Sequence, residues 1–98
     1  MSDYVLTPLA EDDLLDIARY IANDSPESAS RVLNELHQAM TRLARQPFIG
    51  HRRPDLAAEP YRFWPASSYL IIYRPDTTPL RIIRVLHGAR DVRSLLEN

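Results

Sequence analysis

The sequence predicts one α+β domain over residues 1–98, a helical hairpin packed on a small antiparallel sheet in the order βααβββ(α). Three observations carry this reading. Two apolar stripes of helical period run through residues 10–44 and are broken once, at Asn23-Asp24-Ser25-Pro26. Three β-prone runs joined by short turn-rich segments follow them. Apolar residues make up 45% of the chain and charged residues 26%, which is enough apolar surface for a packed core. A chain of this size buries only about two-thirds of its unfolded surface, so a single core is expected and no second domain.

Tyr4 to Leu6 is short, apolar and β-prone, and Thr7-Pro8 after it is an N-cap followed by a first-turn proline. Ala10, Leu14, Ile17, Ala18 and Ile21 then share one helical face, while Glu11, Asp12, Asp13 and Asp16 fall mostly on others and favour the positive end of the helix dipole. Ser25-Pro26 repeats the cap signature for a second helix, whose stripe runs through Ala29, Val32, Leu33, Leu36, Met40, Leu43 and Ala44 until Gln46-Pro47 stops it. Residues 48–60 hold Gly50, two prolines and His51-Arg52-Arg53, and read as an exposed connection. Strands are expected at Tyr61–Trp64, Tyr69–Arg74 and Leu80–His87, with short links that make them an antiparallel meander. Gly88 ends the last strand, and Asp91 caps a short helix from Val92 to Glu97.

Composition removes several function classes. No cysteine is present, so disulfides, thiolate metal sites and cysteine nucleophiles are excluded. The opening residues lack a basic n-region followed by an apolar run, and no apolar stretch approaches the roughly 18 residues that cross a bilayer. A cytoplasmic protein without membrane contact is expected. The net charge of −1 conceals a division: residues 1–40 carry eight acidic side chains against two arginines, and residues 41–98 carry ten arginines against five acids. All basic residues are arginine. Genomic base composition can account for arginine in place of lysine, but not for this segregation, which makes the molecule electrostatically polar.

His37, His51 and His87 have no ligand-like spacing, so no metal is expected, and two glycines cannot build a phosphate or dinucleotide loop, so no cofactor is expected. No local pattern supports a nucleophilic triad. What remains is a surface joining Arg52, Arg53, Arg62, Arg74, Arg81, Arg84, Arg90 and Arg93 to Tyr61, Trp64, Tyr69 and Tyr73. Arginine suits phosphate or carboxylate contacts and aromatics suit stacking. The plainer reading is core packing for the aromatics, because Tyr61 and Phe63 share one strand face, as do Tyr69, Ile71 and Tyr73; arginines flanking strands are ordinarily solvated.

Arg81 to Asp91, RIIRVLHGARD, is the most informative stretch. Its apolar residues occupy both strand faces, which predicts a covered, interior strand. Arg84 and His87 have opposite parity and cannot share a face unless a bulge intervenes. Histidine is a side-chain type that can serve as an acid or base at neutral pH, so His87 is a candidate for that role, with a hydrogen-bonded structural role as the plainer alternative. Arg90 and Asp91 read as a charge pair with a helix cap.

The opening YVLTPLAEDDLLDIARYIA, the turn DSPESA, the connection QPFIGHRRPDL, the strand YLIIYR and the ending RVLHGARD resemble the RelE/ParE superfamily of bacterial type II toxins, and within it ParE more than RelE. The resemblance implies a toxin with a cognate ParD-like antitoxin bound along it in a hetero-oligomer, operator DNA reached only through that antitoxin, and a cytoplasmic target. ParE-like toxins inhibit DNA gyrase by protein contact, whereas RelE-like toxins cleave ribosome-bound messenger RNA. Metal-free RNA cleavage needs a base, an acid and cations around the phosphorane. RelE-type sites use lysines, arginines and a tyrosine near the C-terminus; this chain has no lysine and no tyrosine after Tyr73. The expected activity is therefore gyrase inhibition without catalytic residues, with Arg62, Arg81 and His87 as the alternative ribonuclease set. Arg52, Arg53, Arg62, Arg74, Arg84, His87 and Arg90 are the expected partner-binding residues. An acidic antitoxin segment would lose affinity on Arg84→Ala or Arg90→Ala, and the acidic first helix is expected to tolerate charge changes.

Overall fold

A computed structural model describes residues 3–88 and 92–96. Strand β1 (Tyr4–Leu6) leads into helix α1 (Pro8–Ala22) and helix α2 (Pro26–Arg45). A 3-10 turn (Pro47–Ile49) and a loop precede β2 (Arg62–Ala66), β3 (Tyr69–Arg74), β4 (Leu80–His87) and a short helix α3 (Val92–Leu96). Both helices start where the cap signatures place them. Thr7 Oγ1 accepts from the Ala10 amide at 3.1 Å and Ser25 Oγ from the Ser28 amide at 3.2 Å, each with proline at the first helical position. The expected cap at Asp91 and the helix end at Glu97 lie outside the described residues.

The sheet order is β1-β4-β3-β2. The three-stranded meander is antiparallel as expected, and β1 joins it parallel to β4, so the whole sheet is mixed. Strand β2 runs two residues beyond Trp64, through Pro65. Proline is tolerated there because β2 is an edge: among the described residues only His51 pairs beyond it, exchanging both backbone hydrogen bonds with Phe63 at 2.8 Å. Ser67, at a φ of 56°, makes the tight turn from β2 to β3.

Both sheet faces are covered. The helical hairpin packs Ala10, Ile17, Leu36, Met40 and Leu43 onto Ile71, Tyr73, Leu80, Ile82 and Val85. On the far face Phe63, Ile72, Leu86 and Val92 form a second cluster under Leu56, Ala57, Leu95 and Leu96 from the loop and α3. Covering on both faces explains why β3 buries three consecutive residues, Ile71, Ile72 and Tyr73, and why β4 reads as a nearly continuous apolar run. Trp64, Tyr69 and Tyr61 are partly buried against these clusters, in line with the core reading of the aromatics.

Tyr73 also ties down the connection after α2. Its hydroxyl donates to the Pro47 carbonyl at 2.6 Å and accepts from the Gly50 amide at 2.9 Å. A Cβ on Gly50 would stand 2.7 Å from Tyr73 Cε1, so this glycine is required by space and not by its φ of −67°. Burial raises the Tyr73 phenol pKa, keeping it neutral and able to donate.

Candidate partner surfaces

The α1–β4 seam arises from the short length of β1. Its pairing with β4 stops at Leu6 opposite Ile82, which leaves the remaining edge of β4 without a strand neighbour. One extra residue, Ile83, bulges there between the Tyr73–Ile82 and Ile72–Arg84 pairs. Unpaired backbone groups at such a place need other partners, and α1 supplies them. Thr7 donates its amide to the Ile82 carbonyl at 3.1 Å and its hydroxyl to the Ile83 carbonyl at 2.8 Å. Asp13 accepts from the Val85 amide at 3.0 Å and from Arg84 Nε and Nη2 at 2.8 and 2.9 Å.

The Arg84–Asp13 pair is 15% and 11% exposed, and the hydrogen bond to Asp13 holds the guanidinium pKa above its ordinary value. Arg84, one of the expected partner-binding residues, thus has its fork on Asp13 inside the fold. Asp13 is the α1 acid that this network engages. Charge changes remain compatible with the exposed Glu11, Asp12 and Asp16.

Past this seam lies a groove of about 620 Å³ between α1 and the ends of β3 and β4. Ile17 and Val85 form its floor, and Asp16, Tyr20, Tyr69 and His87 stand at its sides. Tyr20 is 70% exposed. The His87 ring meets Tyr69 edge-on, with centroids 5.5 Å apart, and burial raises the Tyr69 pKa.

Three more of the expected partner-binding arginines carry neighbouring acids. Arg52 pairs with Glu59, Arg53 with Asp55 and Arg74 with Asp76, each at 2.8 Å. The arginine hydrogen bonds hold Asp55 and Asp76 below the ordinary carboxylate value. Exposed pairs of this kind contribute little to stability and leave the arginine accessible. Arg90 lies outside the described residues. Arg62 is half-buried: it donates to the Gly50 carbonyl at 3.1 Å, its guanidinium lies 5.5 Å from the Phe48 centroid, and its Nε is buried with no hydrogen-bond partner.

The alternative ribonuclease set is dispersed. Arg62 stands opposite Tyr73 and His87 opposite Tyr69, four residues away along β3, or about 13 Å at roughly 3.3 Å per residue. Arg81 stands opposite Arg74, on the other face from Tyr73. Arg84 and His87 also remain on strand positions of opposite parity, because the bulge lies before Arg84. Among the described residues no three His, Asp or Glu side chains converge as a metal site, and no helix is long and apolar enough to cross a membrane.

Two features escaped the sequence reading. Asp13 is one of four acids in six residues, and nothing local separates the one that reaches Arg84, 71 positions away, from its neighbours. The other is a corner where the Arg42 guanidinium lies 5.4 Å from the Trp64 centroid and Trp64 stacks on His51 at 5.8 Å, with planes 10° apart. Trp64 was legible singly as a strand aromatic, but its meeting with Arg42 depends on how α2 crosses β2.

Comparison with known proteins adds to this geometry. A family model described as the ParE toxin of type II toxin-antitoxin system, parDE, matches residues 4–92. Toxin RelE3 of Caulobacter vibrioides is 28% identical over 88 residues, which is 90% of this chain and 96% of that protein. A solved chain of the chromosomal ParDE TA system from P. aeruginosa superposes with a TM-score of 0.70 at 20% identity, covering 86% of this chain and 92% of that one; it shares the fold.

Proposed function

Because the chain belongs to the ParE toxin family of type II toxin-antitoxin systems, we propose that it inhibits DNA gyrase by protein contact and is neutralised by a cognate ParD-like antitoxin in a cytoplasmic hetero-oligomer. One observation supports contact over catalysis most: Arg62, Arg81 and His87 are distributed over two faces and both ends of the sheet. RNA cleavage without a metal requires its base, acid and phosphorane-stabilising cations around one phosphate, within about 3 Å of the reacting atoms. Protein contact needs no such convergence, and the accessible arginines suit it.

The antitoxin is assigned to the exposed Arg52 and Arg53, to the partly exposed Arg62 and Arg74, to Arg90, and to His87 at the groove. Arg84 leaves this set, since Asp13 occupies it. Operator DNA is contacted through the antitoxin. A negative-supercoiling assay tests the proposal. Gyrase with micromolar chain should stop supercoiling relaxed plasmid or accumulate cleaved plasmid, and antitoxin added first should restore turnover. Full supercoiling with no cleaved product at that concentration would overturn it, and messenger RNA cut on ribosomes by the same preparation would establish the ribonuclease instead.

A further inference from the structure

We infer that the groove between α1 and the ends of β3 and β4 is a binding site for a small aliphatic amine, with the ammonium head at Asp16 and Tyr20 and the methylene chain on the apolar floor. The inference goes beyond the gyrase and antitoxin reading, and its test uses the chain alone. It starts from the charge of the lining, which contains two carboxylates and no arginine in a chain that has twelve. Asp13 is already occupied by Arg84 and the Val85 amide. Asp16 is exposed, and its side chain has no hydrogen bond or ion pair among the described residues. Arg19 is exposed three positions further on, but it makes no ion pair with Asp16 and does not line the groove. The groove therefore carries one carboxylate that the fold leaves to solvent.

Aromatic rings flank that carboxylate. Asp16 and Tyr20 are four apart on α1 and share a helix face. Tyr20 is 70% exposed and stands across the groove from Tyr69. The two phenols are within electrostatic reach of each other, since Tyr20 adds to the burial that raises the Tyr69 pKa. His87 meets Tyr69 edge-on and braces that wall, while Ile17 and Val85 close the floor. A carboxylate beside an aromatic face and above an apolar floor suits an alkylammonium ion. The ring face attracts the cation, the carboxylate accepts its N–H groups, and the methylenes leave water. An anion is repelled by Asp16, and a neutral ligand leaves that carboxylate desolvated without a partner. The volume of about 620 Å³ is of small-molecule size. A peptide strand fits less well, because α1 already caps the β4 edge. Thr7 holds the Ile82 and Ile83 carbonyls and Asp13 the Val85 amide, so those groups are closed to an added chain.

An amide proton–nitrogen NMR titration of the full chain tests the assignment. The probe is n-butylamine, cationic at neutral pH as a lysine side chain is, and n-butanol is its neutral counterpart. Saturable shifts confined to the amides around Asp16, Tyr20, Tyr69 and His87 are expected, at millimolar affinity, the scale open to a ligand of so few atoms. Asp16→Asn should weaken amine binding about fivefold, the upper range for an exposed ion pair. Tyr20→Ala should weaken it about threefold, and Tyr20→Phe should keep wild-type affinity because the ring face is retained. Glu11→Gln removes the same charge from a part of α1 outside the groove and should leave binding unchanged. Circular dichroism melts keep loss of fold apart from loss of binding. No saturable shift, n-butanol bound as tightly as the amine, unchanged affinity in Asp16→Asn, or shifts centred away from the groove would each overturn the inference. Nα-acetyl-lysinamide bound about tenfold more tightly than n-butylamine would overturn it too, since a gain of that size, about 1.4 kcal/mol, would make the occupant a lysine of a protein partner.

Discussion

The seam between α1 and β4 and the corner between α2 and β2 both bring arginine to aligned backbone, and they use it in opposite ways. At the seam Arg84 is 15% exposed, forked onto Asp13, and part of a network that also satisfies the Val85 amide. At the corner Arg42 and Arg45 are exposed and pair with no carboxylate among the described residues, and Arg42 lies over Trp64, which stacks on His51. Guanidinium count therefore says little about function here. An arginine whose guanidinium is held by a carboxylate inside the fold stabilises it, and one whose donors face solvent is available to a partner.

The largest effect expected is at the seam. Asp13→Ala leaves Arg84 and the Val85 amide without their acceptor, and removing one member of a largely buried pair costs about 3–5 kcal/mol. Urea unfolding followed by circular dichroism should show that loss in the midpoint with the slope unchanged. A smaller loss is expected where Tyr73 holds the connection after α2. Tyr73→Phe leaves the Gly50 amide and Pro47 carbonyl unsatisfied, at about 1–3 kcal/mol, and Gly50→Ala overlaps the Tyr73 ring at a similar cost of about 1–3 kcal/mol. At the corner, Arg42→Ala with Arg45→Ala should change stability by only about 0.5 kcal/mol, as exposed substitutions do. A loss there as large as that at the seam would erase the contrast.

The smallest effect concerns acid. Asp55 and Asp76 are held below their ordinary value of 3.8 by Arg53 and Arg74. A lowered folded pKa means that the contribution is present above 3.8 and is lost as pH falls through the folded value. Wild-type Tm should therefore fall slightly more than that of the Asp55→Asn, Asp76→Asn double variant between about pH 5 and about pH 2. Added salt should shrink the difference, because both pairs are exposed.

What was legible in the sequence is what is local. Thr7-Pro8 and Ser25-Pro26 mark both helix starts because a cap is satisfied within three residues. The runs Tyr69–Arg74 and Leu80–His87 became strands over those same residues, since both of their faces are apolar. The parallel docking of β1 on β4 was not legible, because Tyr4 and Leu80 lie 76 positions apart and nothing local to either names its partner. Nor was the role of Arg84. Its sequence neighbours place it beside His87 in a motif, while its physical neighbour is Asp13. Strand β2 passed through Pro65 because its outer edge needs no amide there, a fact that depends on which strands end up at the rim.

The most direct test of the account is a double-mutant cycle on unfolding free energy with Asp13→Ala, Arg84→Ala and both together. If Arg84 belongs to the fold, each single variant is strongly destabilised and the double is much less destabilised than their sum, with a coupling of about 2–3 kcal/mol. Additive losses with coupling near zero would contradict the account and return Arg84 to the partner surface.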